Sequence, residues 1–354
     1  MIEFVTGNIL NADVDALVNT VNCVGVMGRG VALQFKKSYP ENFAQYEAAC
    51  ERGEVRPGAM FVTVTGIFPP RFIINFPTKR HWKGKSRLAD IQSGLVALVA
   101  EVRSRVIQSI ALPPLGCGLG GLEWDAVRPL ILSAFEALPD VRVVVYEPVG
   151  APAASEMAKQ SVTPNMTVGR AALVGLMSQY LGAVLDPFVT LLEVHKLMYF
   201  MQEAGEELKL KFVKGPYGPY AENLRHVLNL IEGHFITGYG DAGDDPEKPL
   251  EVTSDATHNA ATFLETHVET LARFKRVVQL IAGFATPYGM ELLATVHWVA
   301  RRESVRTADG AVIAVHSWNE RKSKMFPDKH IRLAWQELES RGWLPASATT
   351  MAEG

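Results

Sequence analysis

The chain has 354 residues, long enough for two domains of about 150 residues each. Its hydrophobic share of 48% and charged share of 21% are those of a globular protein, and no apolar run reaches the ~20 residues of a membrane span. A net charge of -3 and a pI near 6.3 argue against a general nucleic-acid coat, so any nucleic-acid contact must come from a local patch. The three cysteines, Cys23, Cys50 and Cys117, have neither paired nor metal-ligand spacing. With an N-terminus that enters a strand without a signal peptide, they point to a reducing cytoplasm and call for no metal or cofactor.

Residues 1 to about 147 alternate strands and helices. Ile2 to Thr6 reads as a strand ending in Gly7-Asn8-Ile9, and Ala16 to Thr20 as a second, buried strand. A loop with Gly25, Gly28 and Gly30 follows and closes into a helix from about Val31. Pro40 stands at a good first helical position for a helix towards Arg52. Ala59–Thr65 and Phe72–Phe76 read as strands, Arg87 to about Val106 as a helix with Leu88, Ile91, Leu95, Leu98, Val99 and Val102 on one face. Ser109–Leu112 is a short strand, Glu123–Leu138 a helix and Val141–Tyr146 a closing strand. This order implies an α/β domain, a mixed sheet covered by helices on both faces.

Ligands of such sheets bind beyond the carboxyl ends of the strands, and four strand ends here carry distinctive residues. They are Gly7-Asn8-Ile9, Thr20-Val21-Asn22, Asn75-Phe76-Pro77-Thr78-Lys79, and Pro113-Pro114-Leu115-Gly116-Cys117-Gly118-Leu119-Gly120-Gly121. The spacing Gly25-x-x-Gly28-x-Gly30 fits neither the dinucleotide fingerprint nor the P-loop. Two glycine-rich loops feeding helix N-termini nevertheless suit the two phosphates of a nucleotide diphosphate. One such loop is common; two at one edge are not.

These segments, together with Thr6-Gly7-Asn8-Ile9 and Gly28-Arg29-Gly30-Val31-Ala32-Leu33-Gln34-Phe35, resemble the macrodomain of the DarG family of DNA ADP-ribosyl glycohydrolases and antitoxins. The same subclass includes the terminal ADP-ribose glycohydrolase of animals. The resemblance implies a three-layer α/β/α macrodomain over residues 1–147 that binds ADP-ribose. Asn8 and Ile9 would face the adenine. Thr20, Val21, Asn22, Val31, Ala32, Leu33, Gln34, Thr78, Gly116, Cys117, Gly118, Leu119 and Gly120 would line the ligand, with Asn22 near the distal ribose. It also makes Lys79 the nucleophile, whose unprotonated amine attacks the anomeric carbon and releases the modified base.

Two positions depart from the pattern. Gly120 stands where the animal relative has an assisting carboxylate, which leaves Glu123, Asp125, His81 and the substrate's own phosphate as weak candidates for acid or base. Asn8 stands where many macrodomains have an aspartate. After Lys79, the run Arg80-His81-Trp82-Lys83-Gly84-Lys85-Ser86-Arg87 is basic, holds one aromatic residue and has no acid. An isolated basic run is usually a solvated loop. Next to a catalytic lysine, Arg80, Trp82, Lys83 and Lys85 make sense as contacts to single-stranded DNA, with Trp82 stacking on a base.

Glu147 to Met166 is rich in Ala, Pro, Ser and Gly and reads as a linker over 148–166. Residues 167–354 read as a mainly α-helical second domain: Val168–Val184, Phe188–Ala204, Ala221–Glu232, Asp255–Ile281, Pro287–Arg301 and Asp328–Arg341. Nothing in it has catalytic spacing, and His195 reads as a core residue. The Lys196-Leu197-Met198-Tyr199-Phe200 helix and the turn Gly215-Pro216-Tyr217-Gly218-Pro219-Tyr220 resemble the antitoxin domain of the same family, which implies a surface that blocks a cognate DarT-like toxin. The acidic loop Gly240 to Glu247 is a solvated loop or an imitation of DNA phosphates.

The reading is therefore a hydrolase that removes ADP-ribose from ADP-ribosylated single-stranded DNA, thymidine first, releases ADP-ribose, and carries a toxin-binding domain. The alternatives are a non-catalytic ADP-ribose reader, a glycohydrolase acting on ADP-ribosylated protein side chains, and a nicotinamide-dependent redox enzyme, the last disfavoured by the missing fingerprint.

Overall fold

A computed structural model describes residues 1–148, 150, 152, 157, 162–184 and 188–344. The expected linker at 148–166 thus lies largely outside the described residues. The chain forms two compact units, Met1–Gln160 with Gly240–Gly243, and Ser161–Tyr239 with Asp244–Gly354.

The first unit is built on β1 (Ile2–Val5), β2 (Ala16–Asn22), β3 (Phe61–Val64), β4 (Phe72–Lys79), β5 (Ser109–Leu112) and β6 (Arg142–Tyr146). They form one sheet in the order β1-β6-β5-β2-β4-β3, parallel except for the antiparallel edge pair β3–β4. Helices α1 (Gly30–Ser38) and α2 (Pro40–Glu51) cover one face, α3 (Leu88–Ser104) and α4 (Trp124–Phe135) the other. Each strand alternates its side chains between two cores. Val18, Ile74, Ile110 and Val143 pack with Ile91, Leu95, Leu98 and Ile131 of α3 and α4, whereas Leu17, Ile73, Ala111 and Val144 pack with Phe35 of α1. This is the mixed, doubly covered sheet that the sequence implies.

Two strands are longer than their apolar runs suggest. β2 continues to Asn22, and β4 runs through Pro77 to Lys79 rather than stopping at Phe76. The pairing of β3 with β4 ends at Asn75, so beyond that point β4 has a strand partner on one side alone and accommodates a residue without an N–H. α3 lies close against β4 because residue 94 is glycine: a Cβ there would stand 2.2 Å from the ring of Phe76, itself fully buried.

The second unit is mainly helical: α5 (Val168–Val184), α6 (Leu191–Glu203), α7 (Leu224–Ile231), α8 (Ser254–Glu265), α9 (Val268–Ile281), α10 (Pro287–Arg302), α11 (Ala308–His316), α12 (Glu320–Met325) and α13 (Asp328–Ser340). The helix read from Phe188 begins instead at Leu191. Thr190 caps it, accepting from the Glu193 N–H while the Glu193 carboxylate accepts from the Thr190 N–H at 2.7 Å. The helix read across Asp255–Ile281 is two. The Thr266 hydroxyl donates to the Phe263 carbonyl at 2.8 Å and His267 leaves helical geometry with φ -120°, so the ladder breaks there.

The Gly-Pro-Tyr turn is a hairpin of β7 (Val213–Gly215) and β8 (Gly218–Tyr220) whose carbonyls are held from three helices or helix ends. Lys196 donates to the Pro219 carbonyl at 2.8 Å, the Trp318 indole to Gly215 at 3.0 Å and the Asn319 amide to Pro216 at 3.0 Å. Beneath the hairpin, Glu291 is 2% exposed and accepts from Lys322 at 2.6 Å and from Arg321 through both of its oxygens. Burial pulls Lys196 down to about 7 and Lys322 to about 8.

Two stability measurements follow from this packing. Gly94→Ala forces its new methyl into the Phe76 ring, and the overpacking costs about 1–3 kcal/mol, outweighing the ~1 kcal/mol of helix propensity that alanine adds. Chemical denaturation of the full chain reads this as a lower midpoint. Glu291→Gln leaves the ammonium of the fully buried Lys322 without its countercharge. The loss is about 3–5 kcal/mol, and an unchanged midpoint would mean that the ion cluster does not hold the helices.

Candidate active site

Because β1, β5, β2 and β4 lie in the parallel part of the sheet, their carboxyl ends share one edge. Lys79 is the last residue of β4 and the register partner of Asn22, the last residue of β2. Its backbone carbonyl accepts from the Cys23 thiol at 3.3 Å, and its ammonium donates to the Leu119 carbonyl of the second glycine-rich loop. One residue therefore links the end of β4 to both loops, to the β2 loop through its main chain and to the 116–121 loop through its side chain. Burial pulls its pKa below the ordinary lysine value, the direction that frees an amine for attack. The neighbouring thiols are moved the other way: burial raises Cys23 and Cys117 to about 11, so both remain protonated and neither competes as a nucleophile.

Asn22 builds the first loop. Its side-chain oxygen accepts from the Val24 N–H at 2.9 Å and the Val26 N–H at 3.3 Å, and its amide donates to the Val26 carbonyl at 2.5 Å. Tyr46, fully buried on α2, donates to the Asn22 carbonyl at 2.7 Å and holds the loop from below. Behind this pair lies a buried amide ladder. Asn19 donates to Asn75 at 3.0 Å, Asn75 donates to Asn42 of α2 at 2.7 Å, and all three side chains are within 1% of full burial. Sequence reasoning missed Tyr46, Asn42, Asn19 and Asn75 as supports, since an isolated tyrosine or asparagine in an element carries no local signal.

The other residues expected at the site fall into two groups. Ile9 is buried among Val14, Leu17 and Phe35, and Asn8 caps a short 3-10 turn by accepting from the Leu10 N–H at 3.0 Å. Thr20 is half-buried. Val21 joins Met27 and Tyr46 in a small core, and the Thr78 hydroxyl points back to the Val21 carbonyl at 3.5 Å. Leu33 and Gln34 are buried, while Val31 and Ala32 pack on the cores beneath them. These helix residues can serve a ligand through the main chain at the start of α1. In this unit the Gly30 N–H donates to the Asp241 carbonyl at 2.8 Å and the Gln34 amide to the Gly240 carbonyl at 2.6 Å.

The second loop is held open-faced by its glycines. Gly116 has φ +74°, a left-handed conformation that favours glycine. The Gly116 carbonyl accepts from the Leu122 N–H at 3.1 Å, and Gly121 donates to Gly118 at 3.0 Å, a tight coil from which Leu119 projects, 64% exposed. In the basic run, Arg80 pairs with Asp90 of α3 at 2.9 Å. Trp82 stacks against His81 with ring centroids 5.5 Å apart, and the Lys83 ammonium lies 4.8 Å from its ring centre. Lys85 is exposed. A base stacking on Trp82 would have to displace one of these neighbours. Among the described residues, no group of three or more His, Cys, Asp or Glu side chains is arranged to hold a metal ion, and no helix is long and apolar enough to cross a membrane.

Comparison with known proteins gives this geometry a family. A Macro domain model matches residues 18–131. A solved macrodomain of DarG from Mycobacterium tuberculosis is 56% identical, covering 42% of this chain and 98% of its own, with a TM-score of 0.41. A DNA ADP-ribosyl transferase–DNA ADP-ribosyl glycohydrolase fusion protein of Thermosipho africanus is 32% identical over 164 residues, 42% of each chain. The DNA ADP-ribosyl glycohydrolase of Thermus aquaticus is 46% identical over 345 residues, 97% of this chain and 94% of that one. With such identity along nearly the whole of both chains, the protein, whose first unit is a macrodomain, belongs to the family of DNA ADP-ribosyl glycohydrolases.

Proposed function

We propose that this chain removes ADP-ribose from ADP-ribosylated bases in single-stranded DNA, thymidine first, with Lys79 as the nucleophile. The observation that carries the proposal is the place of the Lys79 amine. It is half-buried, lowered in pKa by that burial, and held against the Leu119 carbonyl of the second glycine-rich loop, on a residue whose own carbonyl accepts from Cys23 of the first. A module that only reads ADP-ribose has no use for a lysine in that position.

The chemistry balances without a cofactor. The neutral amine attacks the anomeric carbon of the distal ribose, and the bond from that carbon to the base nitrogen breaks. The electron pair leaves with the base, which takes up one proton from the attacking nitrogen and stays in the DNA. Water then adds to the same carbon, the carbon–nitrogen bond to Lys79 breaks, and a proton returns to the amine with release of ADP-ribose. The α1 start and the 116–120 loop supply main-chain donors suited to the two phosphates. Lys83, Lys85 and, once released by Asp90, Arg80 supply the cations suited to a DNA backbone. The proposed division is a catalytic macrodomain over 1–147, a linker over 148–166 and a toxin-neutralising domain over 167–354. The Thermosipho relative, in which transferase and glycohydrolase share one chain, supports a partnership with a DarT-like toxin.

Three measurements test this. On single-stranded DNA carrying ADP-ribosylated thymidine, wild-type protein restores free DNA in a gel-shift assay. Lys79→Ala leaves the modified band and still binds ADP-ribose, and turnover by the variant would overturn the nucleophile. The wild-type single-turnover rate rises about tenfold per pH unit while Lys79 is protonated and levels off once it is neutral, a plateau reached below the ordinary lysine value because burial lowers its pKa. A flat profile contradicts a titrating amine. Finally, full-length Lys79→Ala co-purifies with a co-expressed DarT-like toxin as wild type does, because binding is assigned to 167–354; loss of the complex would place the toxin contact in the macrodomain.

A further inference from the structure

Ser86 lies at the end of the basic run, two residues before α3, and no role above uses it. It is 7% exposed, and its hydroxyl is enclosed with no hydrogen-bond partner. Its backbone N–H donates to the Gly120 carbonyl at 3.0 Å. A Cβ built on Gly120 would stand 2.3 Å from the Ser86 hydroxyl oxygen and 2.2 Å from the Gly116 carbonyl oxygen. A Cβ on Gly116 would stand 3.1 Å from the same hydroxyl. The serine hydroxyl therefore fills the inside of the second glycine-rich loop, in the space that a side chain at residue 120 would need. The peptides on either side of Gly120 are both gripped: the Leu119 carbonyl accepts from Lys79 and the Gly120 carbonyl from Ser86.

An enclosed hydroxyl without a partner costs about 1–3 kcal/mol relative to one that is bonded. Native structures rarely keep such a group without a use for it. Alanine would pack almost as well and carry no such cost, so packing alone does not account for serine. We propose that Ser86 is a positioning residue for Lys79: its hydroxyl sets the 116–120 loop so that the Leu119 carbonyl aims the Lys79 amine at the anomeric carbon. In a chain with no side chain on residue 120, the hydroxyl comes from α3's approach instead of from the loop itself. The donor finds its acceptor, a carbonyl of that loop, in the transition state, when the loop shifts with the reacting amine, so that binding of ADP-ribose alone does not bring the two together. The proposal rests on Lys79 being the nucleophile.

The test is Ser86→Ala, which removes one oxygen and keeps the Cβ. Three quantities are read on the full chain: thermal midpoint, ADP-ribose affinity by calorimetry, and single-turnover rate on ADP-ribosylated DNA. The expected result is a midpoint equal to or above that of wild type, ADP-ribose affinity within about twofold, and a rate lower by about tenfold to a hundredfold, the scale of a misplaced reacting group. A merely structural serine gives a different pattern, with midpoint, affinity and rate falling together, and failure of the variant to fold belongs to the same outcome. Either that pattern or an unchanged rate overturns the role of Ser86. Failure of the parent reading is separate: wild type then leaves the DNA modified, or Lys79→Ala retains the full rate.

Discussion

The pairing of β2 with β4 is the constraint on which the site depends. These two strands bring Asn22 and Lys79 side by side, and everything else at that edge is arranged around the fixed pair. Parallel strands are joined by long crossovers, so their register is set by side-chain packing and not by a short turn. Here apolar packing is reinforced by the ladder from Asn19 through Asn75 to Asn42, which ties both strands to α2. A shift of one residue would turn Asn75 out of the ladder and carry Lys79 to the other face of the sheet. Three amides buried to within 1% are costly unless bonded to one another, and that mutual need makes the register specific.

The role proposed for Lys79 sets two opposing demands. Desolvation lowers its pKa and frees the lone pair, yet a wholly buried amine could not meet a substrate. Half-burial at the mouth of a glycine-rich loop satisfies both. The absence of side chains at Gly116 and Gly120, where a Cβ would crowd Ser86, lets the loop coil tightly while its Leu119 carbonyl holds the amine. The cysteines nearby feel the same desolvation with the opposite result, because burial disfavours a thiolate and an ammonium alike. One environment thus lowers the pKa of the lysine and raises those of the thiols.

Much of this was legible in the sequence, and the rest was hidden for physical reasons. Alternating strands and helices, the two glycine-rich loops and the convergence of strand ends are local patterns; they implied the layered sheet and led to the proposal for Lys79. The extension of β4 through Pro77 was hidden because a proline ordinarily ends a strand; only the short reach of β3 shows why it does not here. Arg80 reads as a free cation in sequence, but its partner Asp90 is ten residues away on the first turn of α3. Tyr46 and Ser86 carry no spacing signal, since their roles lie in contacts with Asn22 and with the 116–120 loop. In the second unit the break at His267 depends on side chains bonding the Phe263 carbonyl, which apolar periodicity does not register.

Both units place buried polar groups where main-chain geometry must be definite, but they use different chemistry. The macrodomain uses neutral amides, which fix strand register without adding a charge of their own. The second unit uses Glu291 with Lys322 and Arg321, and the nearby Lys196, to hold a hairpin by its carbonyls. A buried ion cluster of this kind adds little net stability compared with an apolar core of the same volume. What it adds is definition: Lys196, Trp318 and Asn319 satisfy the carbonyls of Pro219, Gly215 and Pro216, so the Gly-Pro-Tyr turn keeps one shape and presents Tyr217 against Arg321 at 4.7 Å. For the toxin-neutralising role proposed for this unit, such rigidity would place the ordering cost in the fold and not at binding.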